Sequence, residues 1–281
     1  ANEQTFFAYY KLDQARAKGY TGKGVTIALI DGEVDTTAPE LAGTTIIDKS
    51  PCTVISGTFT KSHSTSMASL LVSKEYGVAP DATLLSYRTT FVSQDDRAGN
   101  DCNSHNGAGA EDPASLINRA ISDGAQIISI PSSDEGTDEA TKWAIARANA
   151  QGVIIVSPMG NDAKDETLDT YSKWSGVVGV SAIDTTGKVA SYSSWGQGTT
   201  VAAVGGPVVL HNYESGNKGF TDGTSNSVPL VAGFLALAKQ KWPNATSNQL
   251  LQLLTKTART DQNGWNTYIG YGAVDPGAMI N

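Results

Sequence analysis

The chain has 281 residues, 40% of them hydrophobic and 17% charged, which is a globular composition and excludes a disordered or fibrous protein. Its formal net charge of −8 argues against nucleic acids and anionic membrane surfaces as partners. No apolar run approaches the ~20 residues that a membrane helix needs, so the chain is predicted to contain no membrane span.

Short apolar runs alternate with helical patterns along the chain. The runs predicted to be strands are 25–30, 44–48, 83–88, 126–130, 153–157, 177–183 and 200–204. The segments predicted to be helices are 10–18, 64–74, 113–122, 137–151, 226–241 and 247–256. This alternation predicts an α/β fold of three layers, a mostly parallel central sheet with helices on both faces. No repeat or linker divides the sequence, so residues 1–281 are expected to form a single domain.

The two cysteines, Cys52 and Cys102, lie in polar, turn-rich stretches, the second of them in a long irregular segment over 94–112. No Cys-x-x-Cys pattern occurs, so zinc and thioredoxin-like sites are disfavoured. We predict a disulfide, which requires an oxidising compartment; two unrelated free thiols are the alternative. The first residues lack a signal-peptide pattern, which leaves a cytosolic protein and an already trimmed secreted one both open.

Three separated residues have side chains suited to nucleophilic catalysis. Ser225 opens the apolar helix, where free backbone N–H groups can hold an oxyanion; a plain helix cap is the alternative. His63 is predicted to lie at a helix start, although a lone histidine is more often structural. Asp31 closes the first strand, at the sheet edge where functional groups gather; a turn cap is the alternative, and Asp35 competes as the relevant acid.

Taken together with the segments around them, these three residues resemble the motifs of the subtilase family of serine peptidases. The order Asp, His, Ser along the chain is that of subtilisin. The segments that resemble the family's aspartate, histidine and nucleophile motifs are 25–31, 63–65 and 223–233. Further segments similar to family patterns are 77–82, 152–161 and 270–275. The resemblance therefore spans almost the whole chain and implies a subtilisin-like catalytic domain over 1–281.

The resemblance implies a role for each of four residues. Ser225 would attack the scissile carbonyl, and His63 would take its proton and return it to the leaving amine. Asp31 would orient His63, while Asn161 and the Ser225 backbone N–H would bind the oxyanion. The chemistry implied is peptide-bond hydrolysis by an acyl-enzyme mechanism without a cofactor.

The resemblance also implies the class of substrate, the location of the enzyme and the residues that bind the substrate. The partner would be a protein or peptide, and the enzyme is expected to be a monomer that is secreted or held outside the cytoplasm. The residues implied in substrate binding are Pro131, Ser132, Ser133 and Gly160.

Several positions depart from the family pattern. Ser64 and Ser69 replace two glycines of the histidine motif, and Pro131-Ser132-Ser133-Asp134 replaces the Ser-Leu-Gly-Gly of the substrate strand. Proline removes a backbone donor that a substrate strand would use, so we expect a selective processing protease rather than a digestive one. A catalytically weak or inactive subtilase used for binding or assembly is the alternative. An esterase of the α/β-hydrolase type is disfavoured, because its motif is Gly-x-Ser-x-Gly.

Two further expectations follow from local segments. The stretch from His63 to Gly77 is too short for the loop of the family's strong calcium site, so no metal is expected there. A weaker resemblance links the chain to mycosins, the subtilases of type VII secretion. It depends on this short stretch, the long loop with Cys102, and Arg88.

The acids after Asn161 favour a basic residue before the scissile bond, although acids of a solvated loop are the alternative; these acids are Asp162, Asp165, Glu166 and Asp169.

Overall fold

The structure is a computed structural model that describes residues 2–89, 102, 111–133, 136–260 and 264–281. The predicted long segment 94–112 therefore lies largely outside the described residues, as does Asp134. The α-helices within the described ranges are α1 (Thr5–Tyr9), α2 (Leu12–Ala17), α3 (Thr58–Val72), α4 (Pro113–Ser122), α5 (Glu139–Ala150), α6 (Thr224–Lys241), α7 (Ser247–Thr257) and α8 (Pro276–Met279). Short 3-10 turns occur at Pro39–Leu41, Thr167–Asp169 and Tyr171–Lys173.

The centre of the fold is a parallel sheet. Its strands in the described part of the chain are β1 (Thr26–Asp31), β2 (Thr45–Asp48), β3 (Thr83–Arg88), β4 (Ile127–Ser129), β5 (Ile154–Pro158), β6 (Val178–Ile183) and β7 (Thr199–Val204). They lie in the order β2-β3-β1-β4-β5-β6-β7, and every neighbouring pair is parallel. All seven predicted strands are present, and the predicted parallel α/β sheet is confirmed.

Helices cover both faces of this sheet. Along β1, Ile27 and Leu29 pack into the hydrophobic cluster that includes α3 and α6. The alternate residues Ala28 and Ile30 pack into the opposite cluster, which includes α4 and α5. Because both faces are buried, the strands need apolar residues at consecutive positions, which is the pattern that the sequence displays. The three-layer arrangement leaves the carboxyl edge of the sheet as the place where polar side chains meet.

The helix that carries His63 starts earlier than predicted. Helix α3 begins at Thr58 after the extended Gly57, so the prediction that His63 opens this helix was wrong. The cause is the serine-rich sequence, which is typical of a turn. In the folded chain, Ser62 donates its hydroxyl to the Thr58 carbonyl and Ser64 donates to the Thr60 carbonyl, at 2.8 and 2.9 Å. Both hydroxyls therefore find acceptors within the helix, which is how the helix accommodates these serines.

A two-stranded hairpin precedes the helix that carries Ser225. Strands β8 (Val208–His211) and β9 (Lys218–Thr221) pair antiparallel, with Val208 opposite Thr221. The sequence analysis missed this hairpin, because strands of four residues with a lysine and a glycine carry little β signal. Along the described ranges, no helix has the length and apolarity required to cross a membrane.

The structure contains a disulfide between Cys52 and Cys102, which are separated by 50 positions. Cys102 is fully buried. In the chain-entropy account, a cross-link over a loop of this length stabilises the folded state by roughly 4 kcal/mol.

We therefore expect the variant with Cys52→Ala and Cys102→Ala to lose roughly 4 kcal/mol of unfolding free energy. The measurement is urea denaturation of this variant beside the native protein. Mass spectrometry of the native protein, alkylated without reduction, provides the control for the bond itself. Two alkylated thiols, or an unchanged denaturation midpoint in the variant, would contradict this prediction.

Candidate active site

Asp31 and His63 form the first contact of the site. Asp31 ends β1, and its side chain is fully buried, with Oδ2 lying 2.9 Å from Nδ1 of His63. The other carboxylate oxygen accepts a hydrogen bond from the Gly32 N–H at 2.9 Å. Because both oxygens have partners, the imidazole is fixed in orientation, with its Nδ1 edge towards β1. Nε2 lies on the opposite edge of the ring from this contact.

Asp35, the competing acid, has other partners. Its Oδ1 accepts hydrogen bonds from the N–H and hydroxyl of Thr37, and its Oδ2 accepts the Tyr213 hydroxyl at 2.5 Å. Its own N–H donates to the Thr65 hydroxyl. The structure therefore brings Asp31, and not Asp35, to the imidazole.

The charge state of His63 is set by two opposed effects. Burial of the ring disfavours its charged form, whereas the charge of Asp31 and its hydrogen bond favour it. The net result is that the pKa of His63 is raised above its ordinary value of 6.5. Only the neutral ring can accept a proton, so the reactive form is populated at pH values above this raised pKa.

We expect the acid limb of the pH profile of kcat/KM to have its midpoint above 6.5, with activity rising as pH increases through it. The measurement is peptide hydrolysis between pH 5 and 9 at constant ionic strength. Asp35→Asn is the matched control, and it should leave the midpoint unchanged, because Asp35 bonds to Thr37 and Tyr213. A midpoint below 6.5 in the unaltered protein would contradict this prediction.

Ser225 lies in the first turn of α6, as the second residue after the cap Gly223. Its side chain is half-buried, whereas nearly all other residues of α6 are fully buried. The first N–H groups of a helix have no intrahelical partner and carry partial positive charge. Ser225 therefore combines an accessible hydroxyl with backbone donors that suit a developing anion.

Asn161 is held beside Ser225 by a defined pair of contacts. Its side-chain oxygen accepts hydrogen bonds from the Thr224 N–H and the Thr224 hydroxyl, both at 2.8 Å. A backbone N–H can only donate, so the amide orientation is fixed and Nδ2 remains as a donor. A Cβ placed on Gly223 would lie 3.4 Å from Ser225 Oγ and 3.5 Å from Asn161 Nδ2. The hydroxyl and the amide donor therefore border the same small space.

These side chains open into one large cavity of about 780 Å³. Pro131, Ser132 and Ser133, for which the family resemblance implies a role in substrate binding, lie on one part of its wall. The described lining residues are Phe59, Thr60, Ser62, His63, Met67, Pro131, Ser132, Ser133, Pro158, Asn161, Leu210, Asn212, Glu214, Thr221, Asp222, Thr224, Ser225 and Asn226. The sequence analysis missed the residues from the start of α3 and from the β8–β9 hairpin, because only the fold brings these segments to the cavity.

Gly160, the fourth predicted substrate residue, lies directly before Asn161 with φ of +111°. A Cβ at this position would collide with the carboxylate of Glu166, so both the backbone conformation and the close contact require glycine. Glu166 is 2% exposed, whereas Asp162, Asp165 and Asp169 are exposed. None of these four acids is among the described residues that line the cavity.

The turn after α3 is closed by an arginine. Arg16 donates from Nη1 to the Lys74 carbonyl at 2.6 Å and from Nη2 to the Gly77 carbonyl at 2.7 Å. Carbonyl oxygens grouped in a turn are also what a hard cation such as calcium prefers. In this segment a side-chain guanidinium supplies the positive charge.

We therefore expect a chelator to leave the thermal midpoint unchanged, whereas Arg16→Gln should lower the unfolding free energy by about 1–2 kcal/mol, because charge-assisted hydrogen bonds are lost. The measurement is thermal melting of both proteins with and without EDTA. A fall of several degrees on adding EDTA to the unaltered protein would overturn the expectation.

Comparison with known proteins places these features in a family context. A model described as the subtilase family matches residues 22–272. A thermostable alkaline protease of Halalkalibacterium halodurans is 28% identical over 273 residues, which cover 94% of this chain and 68% of that protein. Mycosin-1 of Mycolicibacterium smegmatis is 27% identical over 328 residues, which cover 97% of this chain and 71% of that protein. The crystal structure of fervidolysin from Fervidobacterium pennivorans, a keratinolytic enzyme, has a TM-score of 0.77 at 27% identity, covering 95% of this chain and 44% of that one.

Proposed function

We propose that this chain, which belongs to the subtilase family and is a serine endopeptidase, cleaves peptide bonds with Ser225 as nucleophile, His63 as general base and Asp31 as its orienting acid. The observation that carries the proposal is the 2.9 Å contact between Asp31 and His63 at the edge of the cavity that Ser225 lines. This arrangement has the parts of a catalytic triad, in which a buried carboxylate fixes the tautomer of the histidine.

The reaction then proceeds in two halves. Ser225 Oγ attacks the scissile carbonyl carbon while Nε2 of His63 takes the hydroxyl proton, and the carbonyl oxygen becomes an anion. The donors for this oxygen are Nδ2 of Asn161 and the backbone N–H of Ser225. As the tetrahedral intermediate collapses, the protonated His63 gives its proton to the leaving amine. Water then hydrolyses the acyl-enzyme by the same proton path and restores Ser225.

We infer that the enzyme is selective. A substrate strand binds through backbone hydrogen bonds, and Pro131 in the cavity wall has no N–H to donate. Ser132 and Ser133 add side chains to the same part of the wall. Binding then depends on the fit of substrate side chains, which discriminates between sequences. The disulfide between Cys52 and Cys102 supports action in an oxidising compartment outside the cytoplasm.

The test has two parts. A fluorophosphonate probe should label the protein at Ser225, and the label should be absent from Ser225→Ala. A digest of a diverse peptide mixture, analysed by mass spectrometry, should then return a narrow set of cleavage sites, with little degradation of casein. Absence of both labelling and cleavage would favour an inactive subtilase used for binding. Extensive casein degradation would contradict the selectivity.

A further inference from the structure

A glutamine amide joins the segment before α1 to the β8–β9 hairpin, which forms one wall of the cavity. Gln4 stands at the N-cap of α1 and is 3% exposed. Its Nε2 donates to the Val209 carbonyl and its Oε1 accepts a hydrogen bond from the Val209 N–H, both at 2.8 Å. Val209 therefore directs both backbone groups away from β9, and the amide of Gln4 occupies the place that a third strand would have.

The neighbours of Gln4 contact the same hairpin. Thr5 donates its hydroxyl to the Pro207 carbonyl, directly before β8, at 3.0 Å. Glu3 pairs with Lys218 of β9 at 2.7 Å, although both side chains are exposed. A two-stranded hairpin is marginally stable by itself, so its position depends on contacts with the rest of the protein. The segment 3–5 supplies three of these contacts.

Two residues of the cavity lining lie between the Gln4 contact and a second anchor. Leu210 and Asn212 belong to the lining and follow Val209 along the chain. Beyond them, the Tyr213 N–H donates to the Ser62 hydroxyl of α3 at 2.8 Å. Loss of the Gln4 contact therefore removes the anchor on one side of this part of the wall and leaves the anchor to α3 on the other.

The nucleophile is held by different contacts. The N–H of Gly223, the cap of α6, donates to the Gly205 carbonyl at 2.9 Å. Nδ2 of Asn226 donates to the same carbonyl at 3.0 Å. These two hydrogen bonds flank Ser225 in the first turn of α6 and do not involve Gln4. A change at Gln4 should therefore alter the wall and leave Ser225 in position.

We propose that Gln4 is a positioning residue for substrate binding, which holds β8 so that Leu210 and Asn212 form the wall of the cavity. The hairpin binds peptide only in this position, and Gln4 raises the population of that conformation. Gln4 itself is not among the described residues of the lining. The inference rests on the proposed function, because it takes the cavity beside Ser225 as the substrate site.

The experiment compares two glutamines with similar bonding. Gln4→Met keeps the length of the side chain and removes both hydrogen bonds to Val209. Gln240→Met is the matched control, because the Gln240 amide also bonds to backbone, accepting from the N–H groups of Thr21 and Gly22 at 2.9 and 2.8 Å. Gln240 is likewise outside the described lining. The measurements are kcat and KM on a peptide from the library digest, and the rate of labelling by the fluorophosphonate probe.

We expect Gln4→Met to raise KM about 3–10-fold, the change that corresponds to the loss of one or two ordinary hydrogen bonds. Its kcat and labelling rate should stay within about twofold of the native values, because the wall acts on binding and not on the chemical step. Gln240→Met should leave KM unchanged, although it also removes hydrogen bonds. A native KM in Gln4→Met, or an equal rise in Gln240→Met, overturns the proposal.

A milder variant decides the question if Gln4→Met does not fold. Thr5→Val keeps the shape of the side chain and removes the hydroxyl contact to Pro207. It should raise KM by about twofold and leave the labelling rate unchanged. An unchanged KM in Thr5→Val, when the methionine variant is unfolded, overturns the proposal.

Peptide binding to the Ser225→Ala protein separates this inference from the proposed function. Fluorescence anisotropy gives the apparent Kd, with and without Gln4→Met, of a labelled peptide from the digest, or of a random octapeptide pool if the digest returns none. Weaker binding in Gln4→Met, with no cleavage or labelling by the unaltered protein, would support the role of Gln4 and contradict the proposed function. Cleavage with native KM and Kd in Gln4→Met would do the reverse, and absence of both cleavage and binding in every protein overturns both.

Discussion

Replacement of Ser225 by alanine is expected to lower kcat by about 10⁶-fold and to leave the fold intact. The hydroxyl lies half-buried at the cavity, and its removal takes away the nucleophile without emptying core volume. His63→Ala should cost about as much, and the double variant should be no worse than either single one, because the residues act as a unit. The measurement is kcat on a peptide from the library digest, beside a urea denaturation curve for each protein.

Ser227→Ala is a matched control for this prediction. Ser227 lies half a turn further along α6, fully buried, with its hydroxyl donating to the Ala203 carbonyl at 3.0 Å. Loss of this hydrogen bond should lower the unfolding free energy by about 1 kcal/mol and leave kcat nearly unchanged. This pattern is the reverse of the one expected for Ser225→Ala. A Ser225→Ala protein that still turns over peptide at a tenth or more of the native rate would mean that the nucleophile lies elsewhere.

Asn161→Ala is expected to lower kcat by about 10²–10³-fold with little change in KM. The reason is that Nδ2 donates to the oxygen only once it becomes an anion, so the contact favours the transition state over the bound substrate. The measurement is kcat and KM on the same peptide.

Alanine also removes the acceptor for the Thr224 N–H, so a second variant separates the two effects. Asn161→Asp keeps an oxygen for Thr224 but replaces the donor with a negative charge next to the oxyanion. It should lower kcat at least as much as alanine does. A native-like kcat in Asn161→Asp would show that the amide holds Thr224 in place and takes no part in the chemistry.

Sequence reasoning identified Asp31 and Ser225 because the residues around them determine their positions in the fold. Asp31 ends a run of apolar residues that is typical of a strand covered on both faces, and strand ends of a parallel sheet meet at one edge. Ser225 stands at the start of a long apolar segment, so its position in the first turn of a helix follows from the sequence around it. Asn161 lies beside Thr224 in the structure although 63 positions separate them, and it was identified by resemblance to a family segment.

The parts that sequence reasoning missed depend on tertiary contacts. Phe59 has a polar neighbourhood that predicts a turn, and its place in the cavity follows only from the early start of α3. Glu214 lies in a hairpin whose short strands are recognised by their pairing, not by their composition. The acids after Asn161 are near it in sequence but are not among the described residues that line the cavity, so the basic preference stays a prediction.

Asp31 lies on β1, an inner strand paired on both sides, whereas the hairpin that forms one wall of the cavity is a separate two-stranded sheet. Backbone amides of β1 should therefore exchange with deuterium only when the whole sheet opens, while those of β8 and β9 exchange through smaller, more frequent openings. In moderate urea the enzyme should lose peptide affinity first and keep a nucleophile that still reacts with a small phosphonate. We therefore expect substrate recognition and the reactivity of Ser225 to depend on cooperative units of different stability.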